Sequence, residues 1–168
     1  MTEQVDSYRF LDGVTKRMVK TWAKLEPVPG IPWTPLDKPL SDCTVVLISS
    51  AALALKDDTP FDQEIEQKNP WISDPSYRVL PADTRTGDVT LYHLHVAPQF
   101  VDADLNVLLP LERFEELVQC GEIGSLAKSH YSFTGYTLDP AELLEISTPA
   151  IIRNLRDEAV DVVVLVPA

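Results

Sequence analysis

Nowhere in this chain does an apolar run approach the roughly 20 residues that a helix needs to cross a bilayer. The first ten residues, MTEQVDSYRF, lack the basic and then apolar order of a secretory signal. Both absences point to a soluble protein of the cytoplasm. Cysteine is nearly missing: Cys43 and Cys120 are the only two. They cannot build a disulfide framework, they form no C-x-x-C pair, and reduced thiols suit that compartment. Basic residues are also few, 14 Lys and Arg against 26 Asp and Glu, for a net charge of −12. Such a balance argues against nucleic acid or an anionic membrane as a partner. No internal repeat or low-complexity tract is visible. What remains is 168 residues that are 45% apolar, enough for one globular domain with a real core.

Residues 7 to 25 read as an amphipathic helix, with Leu11, Val14, Met18 and Trp22 at helical spacing and Pro27 as its stop. The proline-rich segment EPVPGIPWTPLDKPL cannot be a helix or a central strand. It is expected to be an extended strap tacked down by Ile31 and Trp33. Residues 1–40 thus form a helix and strap, and residues 41–168 an α/β domain, compact as a whole. Cys43 to Ser50 (CTVVLISS) reads as the first core strand, apolar on both faces and ending at Ser49-Ser50. Residues 56–88 look irregular, with Arg78 and Arg85 as candidate anion ligands.

All three histidines lie between Asp88 and Tyr136. Val89 to Val96 is expected to be a strand, which places His93 and His95 on one face at its carboxyl end. In open α/β sheets ligands bind at that end. His130 follows in SHYSFTGY, read as a polar and aromatic loop. Between them, Asp102, Asp104 and Asn106 imitate the start of a calcium loop. Val107 replaces the required glycine and Arg113 the bidentate glutamate, so calcium is set aside. Pro110 to Gly121 reads as a helix with Leu111, Phe114, Leu117 and Val118 on one face. Asp139-Pro140 and Thr148-Pro149 each look like the start of a further helix. VDVVVLVPA, residues 160 to 168, reads as a central, fully buried strand. The fold class expected from this order is α/β, a layered and largely parallel sheet flanked by helices, Rossmann- or flavodoxin-like.

RVLPADTRTGDVTLYHLHV, DADLNVLLPLERFEELV, IGSLAKSHYSFTGY and PWTPLDKPLSD together resemble the selenoprotein B family of glycine, sarcosine, betaine and D-proline reductases. The resemblance runs from about Trp33 to Ala168. It implies reductive cleavage of a C–N bond in a small amino acid or betaine. It also implies other reductase subunits, a thioredoxin-like or dithiol donor and, in some members, a partner subunit carrying a pyruvoyl group. The redox residue it implies is a selenocysteine directly after Ala168, so the expectation is a truncated chain that is inactive alone. No catalytic residue, cofactor or metal is expected within the chain itself. The substrate wall would come from Ser49, Ser50, His93, His95, His130, Tyr131 and Ser132, by hydrogen bonding a carboxylate or holding a proton for the leaving amine.

Two other classes fit the same residues. His93, His95 and His130 could be the ligands of a three-histidine zinc site in a lyase or hydrolase. Alternatively, the chain could be a non-catalytic partner that forms a homo-oligomer through its final strand and strap.

Overall fold

The computed structural model describes all residues except 1–8, 10, 26–29, 31–33, 70, 71, 136 and 138. The expected helix stop at Pro27 and the strap anchors Ile31 and Trp33 lie outside the described residues. The chain divides into two compact units, Met1–Leu36 and Asp37–Ala168.

In the first unit, α1 spans Gly13–Leu25. It starts later than its apolar spacing suggests because Asp12 caps it. The Asp12 carboxylate accepts the Val14 amide at 2.8 Å and the Thr15 amide at 3.1 Å, which leaves Leu11 outside. Val14, Met18 and Trp22 share one face of α1 and are exposed.

The second unit is an α/β layer structure, as the element order predicts. Its centre is β1, Thr44–Ser49. All of its residues after Thr44 are buried, as a strand covered on both faces requires. Along one edge β1 pairs in parallel with β7, Val162–Val166, through five register pairs from Val45↔Val162 to Ser49↔Val166. Along the other edge it meets β5, Ser125–Leu126, at its start and β6, Ser129–Phe133, at its end, again in parallel. Beyond β6 lies β3, Tyr77–Pro81, antiparallel to it. A separate two-stranded ladder joins β2, Leu53–Leu55, to β4, Val89–Leu91.

Two apolar layers cover the sheet. On one face Leu47, Leu53 and Leu80 pack with Val101, Leu105, Leu109 and Leu111. Val101 comes from α3, Pro98–Ala103, Leu105 from the single turn after it, Leu109 from the link that follows and Leu111 from α4, Leu111–Gln119. On the other face Val46, Ile48 and Tyr131 pack with Ile151 and Leu155 of α5, Thr148–Asp157. Helix α4 ends where Gly121 takes φ +74°, the left-handed geometry that stops helices.

Several expectations change. The final strand is not central: among the described strands β7 pairs only with β1, and Val163 and Leu165 are 43% and 70% exposed. Continuous apolar character marks a strand but not its place in the sheet. The region 56–88 is less irregular than it looks, since it holds α2, Gln63–Lys68, as well as β3. The Asp139 and Thr148 helices are one helix. Residues 141–157 run on through a π-helical stretch at Leu143–Ser147. Pro149 has no amide to give the helix, and the Thr148 amide reaches back five residues to the Leu143 carbonyl.

Candidate functional site at the carboxyl edge of the sheet

Parallel strands that stop together leave a row of chain ends at one edge, and in this fold class ligands sit there. Ser50, just past β1, is where three of those ends meet. Its amide donates to the Val166 carbonyl at 3.0 Å, and its carbonyl accepts the Gly135 amide at 3.0 Å. Its hydroxyl accepts the Ala168 amide at 2.9 Å. Gly135 lies so close that a β-carbon there would come within 2.4 Å of the Ser50 β-carbon. Only a residue without a side chain fits that approach.

Two residues on, Ala52 ties in the remaining segments. Its φ of 51° is left-handed, which costs a residue with a β-carbon about 1–2 kcal/mol. The turn lets its amide reach the Phe133 carbonyl and its carbonyl take the Tyr92 amide, both at 3.0 Å. The ends of β1, β4, β6 and β7 are therefore joined through Ser50 and Ala52. Strain of this kind, held by several bonds at once, is characteristic of functional corners.

The structure separates the seven expected site residues into two groups. Ser49, His130, Tyr131 and Ser132 are fully buried. The Ser49 hydroxyl accepts the Ala51 amide at 3.2 Å, and the Ser132 hydroxyl accepts the Leu53 amide at 2.8 Å. Tyr131 packs its ring against Tyr77 with centroids 6.0 Å apart, and burial pushes its phenol above the usual range. His130 accepts the Leu47 amide on Nδ1 at 2.9 Å, and its Nε2 has no partner among the described residues. Burial lowers the His130 pKa to about 4, against the pull of Glu158 and the Ala127 backbone. The run His130-Tyr131-Ser132 is thus the core of strand β6 and not a loop.

The second group lies at the edge. Ser50 is half-buried, His93 half-buried and His95 exposed. The strand expected to carry both histidines stops at Leu91. Its partner β2 is only three residues long, so the ladder has nothing further to pair with. His93 then makes a local turn, its Nδ1 accepting the His95 amide at 3.2 Å. The two rings meet edge to face, centroids 5.9 Å apart. They leave the fold beside the Ala52–Tyr92 bond. Gln63 of α2 also holds this exit, donating to the Tyr92 carbonyl at 2.7 Å.

The three-histidine zinc site is not formed. His130 is sealed in the sheet with Nδ1 committed, and among the described residues no group of three or more His, Cys, Asp or Glu is placed to hold a metal. Arg78 and Arg85, weighed as anion ligands, are used by the fold. Arg78 donates to the Thr59 and Pro60 carbonyls at 2.7 and 3.0 Å and lies 4.1 Å over the Phe61 ring. Arg85 pairs with Glu115 at 2.7 Å. The imitation calcium loop is a helix cap. The Asn106 side chain accepts the Glu112 amide at 3.1 Å and donates to the Glu112 carboxylate at 2.8 Å. Sequence reasoning missed Ala52 and Gly135. The serine pair pointed to this corner, but no residue pattern marks a left-handed alanine.

Over 133 residues the chain is 32% identical to the D-proline reductase subunit gamma of Acetoanaerobium sticklandii. The chain is related to a reductase subunit. The match covers 79% of this chain and 52% of that protein, so the chain spans about half the length of the curated relative it matches. No protein-family model and no solved structure matches. Among the described residues no helix is long and apolar enough to cross a membrane.

Proposed function

We propose that this chain is part of a selenoprotein B-type reductase, one that reductively cleaves the C–N bond of a small amino acid or betaine in the cytoplasm. The observation that carries the proposal is the sequence relation to a D-proline reductase subunit across most of the chain. The share of the work assigned to this chain is the wall of the substrate site. Ser50, His93 and His95 face the substrate. Their hydroxyl and imidazole groups can donate to a carboxylate or hold a proton for the departing amine. Ser49, His130 and Ser132 keep that wall in place through the buried bonds described above, and Tyr131 through its packing on Tyr77.

The redox selenocysteine is proposed to follow Ala168 in the encoded protein. What supports this place for it is that Ser50 holds the Ala168 amide at 2.9 Å, next to the Ser50–Ala52 corner. A selenocysteine there would supply an ionised chalcogen nucleophile, to be reset by a dithiol or thioredoxin-like donor. The other subunits of the reductase, including one with a pyruvoyl group in some enzymes of this kind, are proposed partners.

The coding sequence tests this directly. An in-frame UGA immediately after the Ala168 codon, with a cysteine codon close behind it, is the expected result. An ordinary stop with no open frame beyond it would defeat the proposal. If the frame continues, His95→Ala in the full-length subunit should lower turnover of D-proline, glycine, sarcosine or betaine. The 168-residue chain alone should turn over none of them.

One observation favours a second reading, a non-catalytic subunit that self-associates. The outer edge of β7 has no pairing strand among those described, and Leu165 stands exposed on it. Unpaired apolar edges recruit another chain. Sedimentation should then show a dimer that Leu165→Lys dissociates, and a monomer at all concentrations would exclude it.

A further inference from the structure

Away from the carboxyl edge, a cavity of about 480 Å³ opens between the loop after α2 and the start of the long helix. Its walls are apolar and acidic together: Ile65, Ile72 and Ile146 on one account, Glu142 and Glu145 on the other. Beside it the Ser147 hydroxyl donates to the Pro75 carbonyl at 2.6 Å, which fixes the helix against the loop. Ser73 also lines the cavity. It is only 3% exposed, and its hydroxyl has no hydrogen-bond partner among the described residues.

An unpaired buried hydroxyl is costly, by about 1–3 kcal/mol, and calls for an explanation. The carboxylates add to it. Neither Glu142 nor Glu145 has an ion-pair partner among the described residues, although both line the cavity with the isoleucines. Acidic residues at solvent are common in a chain of net charge −12 and mean little alone. Here they share one cavity with an unsatisfied hydroxyl and an aliphatic wall.

That combination matches the two ends of an aliphatic ammonium ion. The carboxylates take the charge, the serine oxygen accepts one N–H, and the isoleucines cover the hydrocarbon. A bare metal ion fits less well, since among the described residues no metal-holding group of three or more ligands forms. We propose that this cavity is a binding site for a small aliphatic ammonium ion, separate from the carboxyl-edge site and independent of the reductase reading.

Titration of the 168-residue chain with n-butylammonium, followed by amide NMR, tests the site. Saturable shifts confined to residues 65, 72–75 and 139–147 are expected. Butanol should produce much weaker shifts, and sodium chloride at the same ionic strength none that saturate. The double variant Glu142→Gln/Glu145→Gln should bind about tenfold more weakly, the loss that charge-assisted hydrogen bonds imply. Ser73→Ala should weaken butylammonium while leaving the quaternary tetramethylammonium ion, which has no N–H, unaffected. Thermal melts of each variant confirm that it is folded. Shifts that do not saturate, that sodium reproduces, or that the folded double variant retains in full would overturn the proposal.

Discussion

The Leu47 amide donates to Nδ1 of His130 at 2.9 Å, within the sheet, where a neighbouring strand would ordinarily offer a carbonyl. β5 serves β1 at Thr44–Val45 and β6 serves it at Ile48–Ser49, and the imidazole fills the rung between. An Nδ1 that accepts a proton contact must be unprotonated, so the ring is neutral with its hydrogen on Nε2. Protonation would set two donors against each other.

Acid should therefore weaken the fold through this residue. The unfolded imidazole titrates near 6.5 and the folded one at about 4. Between those values the unfolded chain binds the extra proton. Stability is then full above pH 6.5, falls as pH drops from 6.5 to 4, and loses no more from this group below that. The total is about 3 kcal/mol from the pKa difference. His130→Asn keeps an acceptor near Leu47 but cannot titrate. Urea melts across pH 4 to 7 should show a shallower pH dependence for the variant than for the parent. Equal slopes would show that His130 is not the responsible group.

Ala159 sits at φ 52° just past α5, where its amide reaches the Arg156 carbonyl and the Val160 amide reaches the Leu155 carbonyl. Ala159→Gly should relieve the left-handed strain and raise stability by about 1 kcal/mol. Chemical denaturation measures it. The same change at Ala52 should gain less, because the Ala52 side chain packs with Ala54 and Phe61.

Gly135→Ala forces a β-carbon against Ser50, with the Ser50 oxygen 2.8 Å from it and the backbone carbonyl 3.0 Å away. Backbone must move at the corner where three strand ends join. A loss of about 1–3 kcal/mol is expected, as for overpacked cores. Amide NMR should place the largest shifts at Ser50, Ala51 and Ala168.

Asn106→Ala removes the acceptor of the Glu112 amide and should cost about 1 kcal/mol, the usual weight of a helix cap. Millimolar calcium should leave the melting temperature of the parent chain unchanged, since Asp104 and Asn106 are occupied in capping. A calcium-dependent rise would restore the ion-loop interpretation of DADLN.

Residue patterns carried the α/β class, the core strand at CTVVLISS, and helix α4 with its stop at Gly121. These are strong periodicities with their own boundaries. They could not carry position. VVVLV has the composition of a central strand yet lies at an edge, because composition does not count neighbours. Tyr92 to Val96 has strand-forming residues, but β2 runs out after Leu55, and the chain turns instead. The His130 run failed for the opposite reason: hydroxyls and an imidazole look loop-like, yet each finds a backbone partner inside the sheet or lies sealed within it. At the carboxyl edge, the serine pair marks in the sequence where β1 ends. The left-handed Ala52 that gathers the chain ends has no such mark.

Strand β1 draws its parallel neighbours from far along the polypeptide, Thr44 facing Ser125 at one edge and bonding the Asp161 side chain at the other. Separations of 81 and 117 residues mean that the chain must be made past Ser125 before this strand has one flank and past Asp161 before it has both. Topologies so non-local fold slowly, and a newborn TVVLIS segment is exposed meanwhile. Yield in the cell should thus hinge on how well that segment is shielded during synthesis.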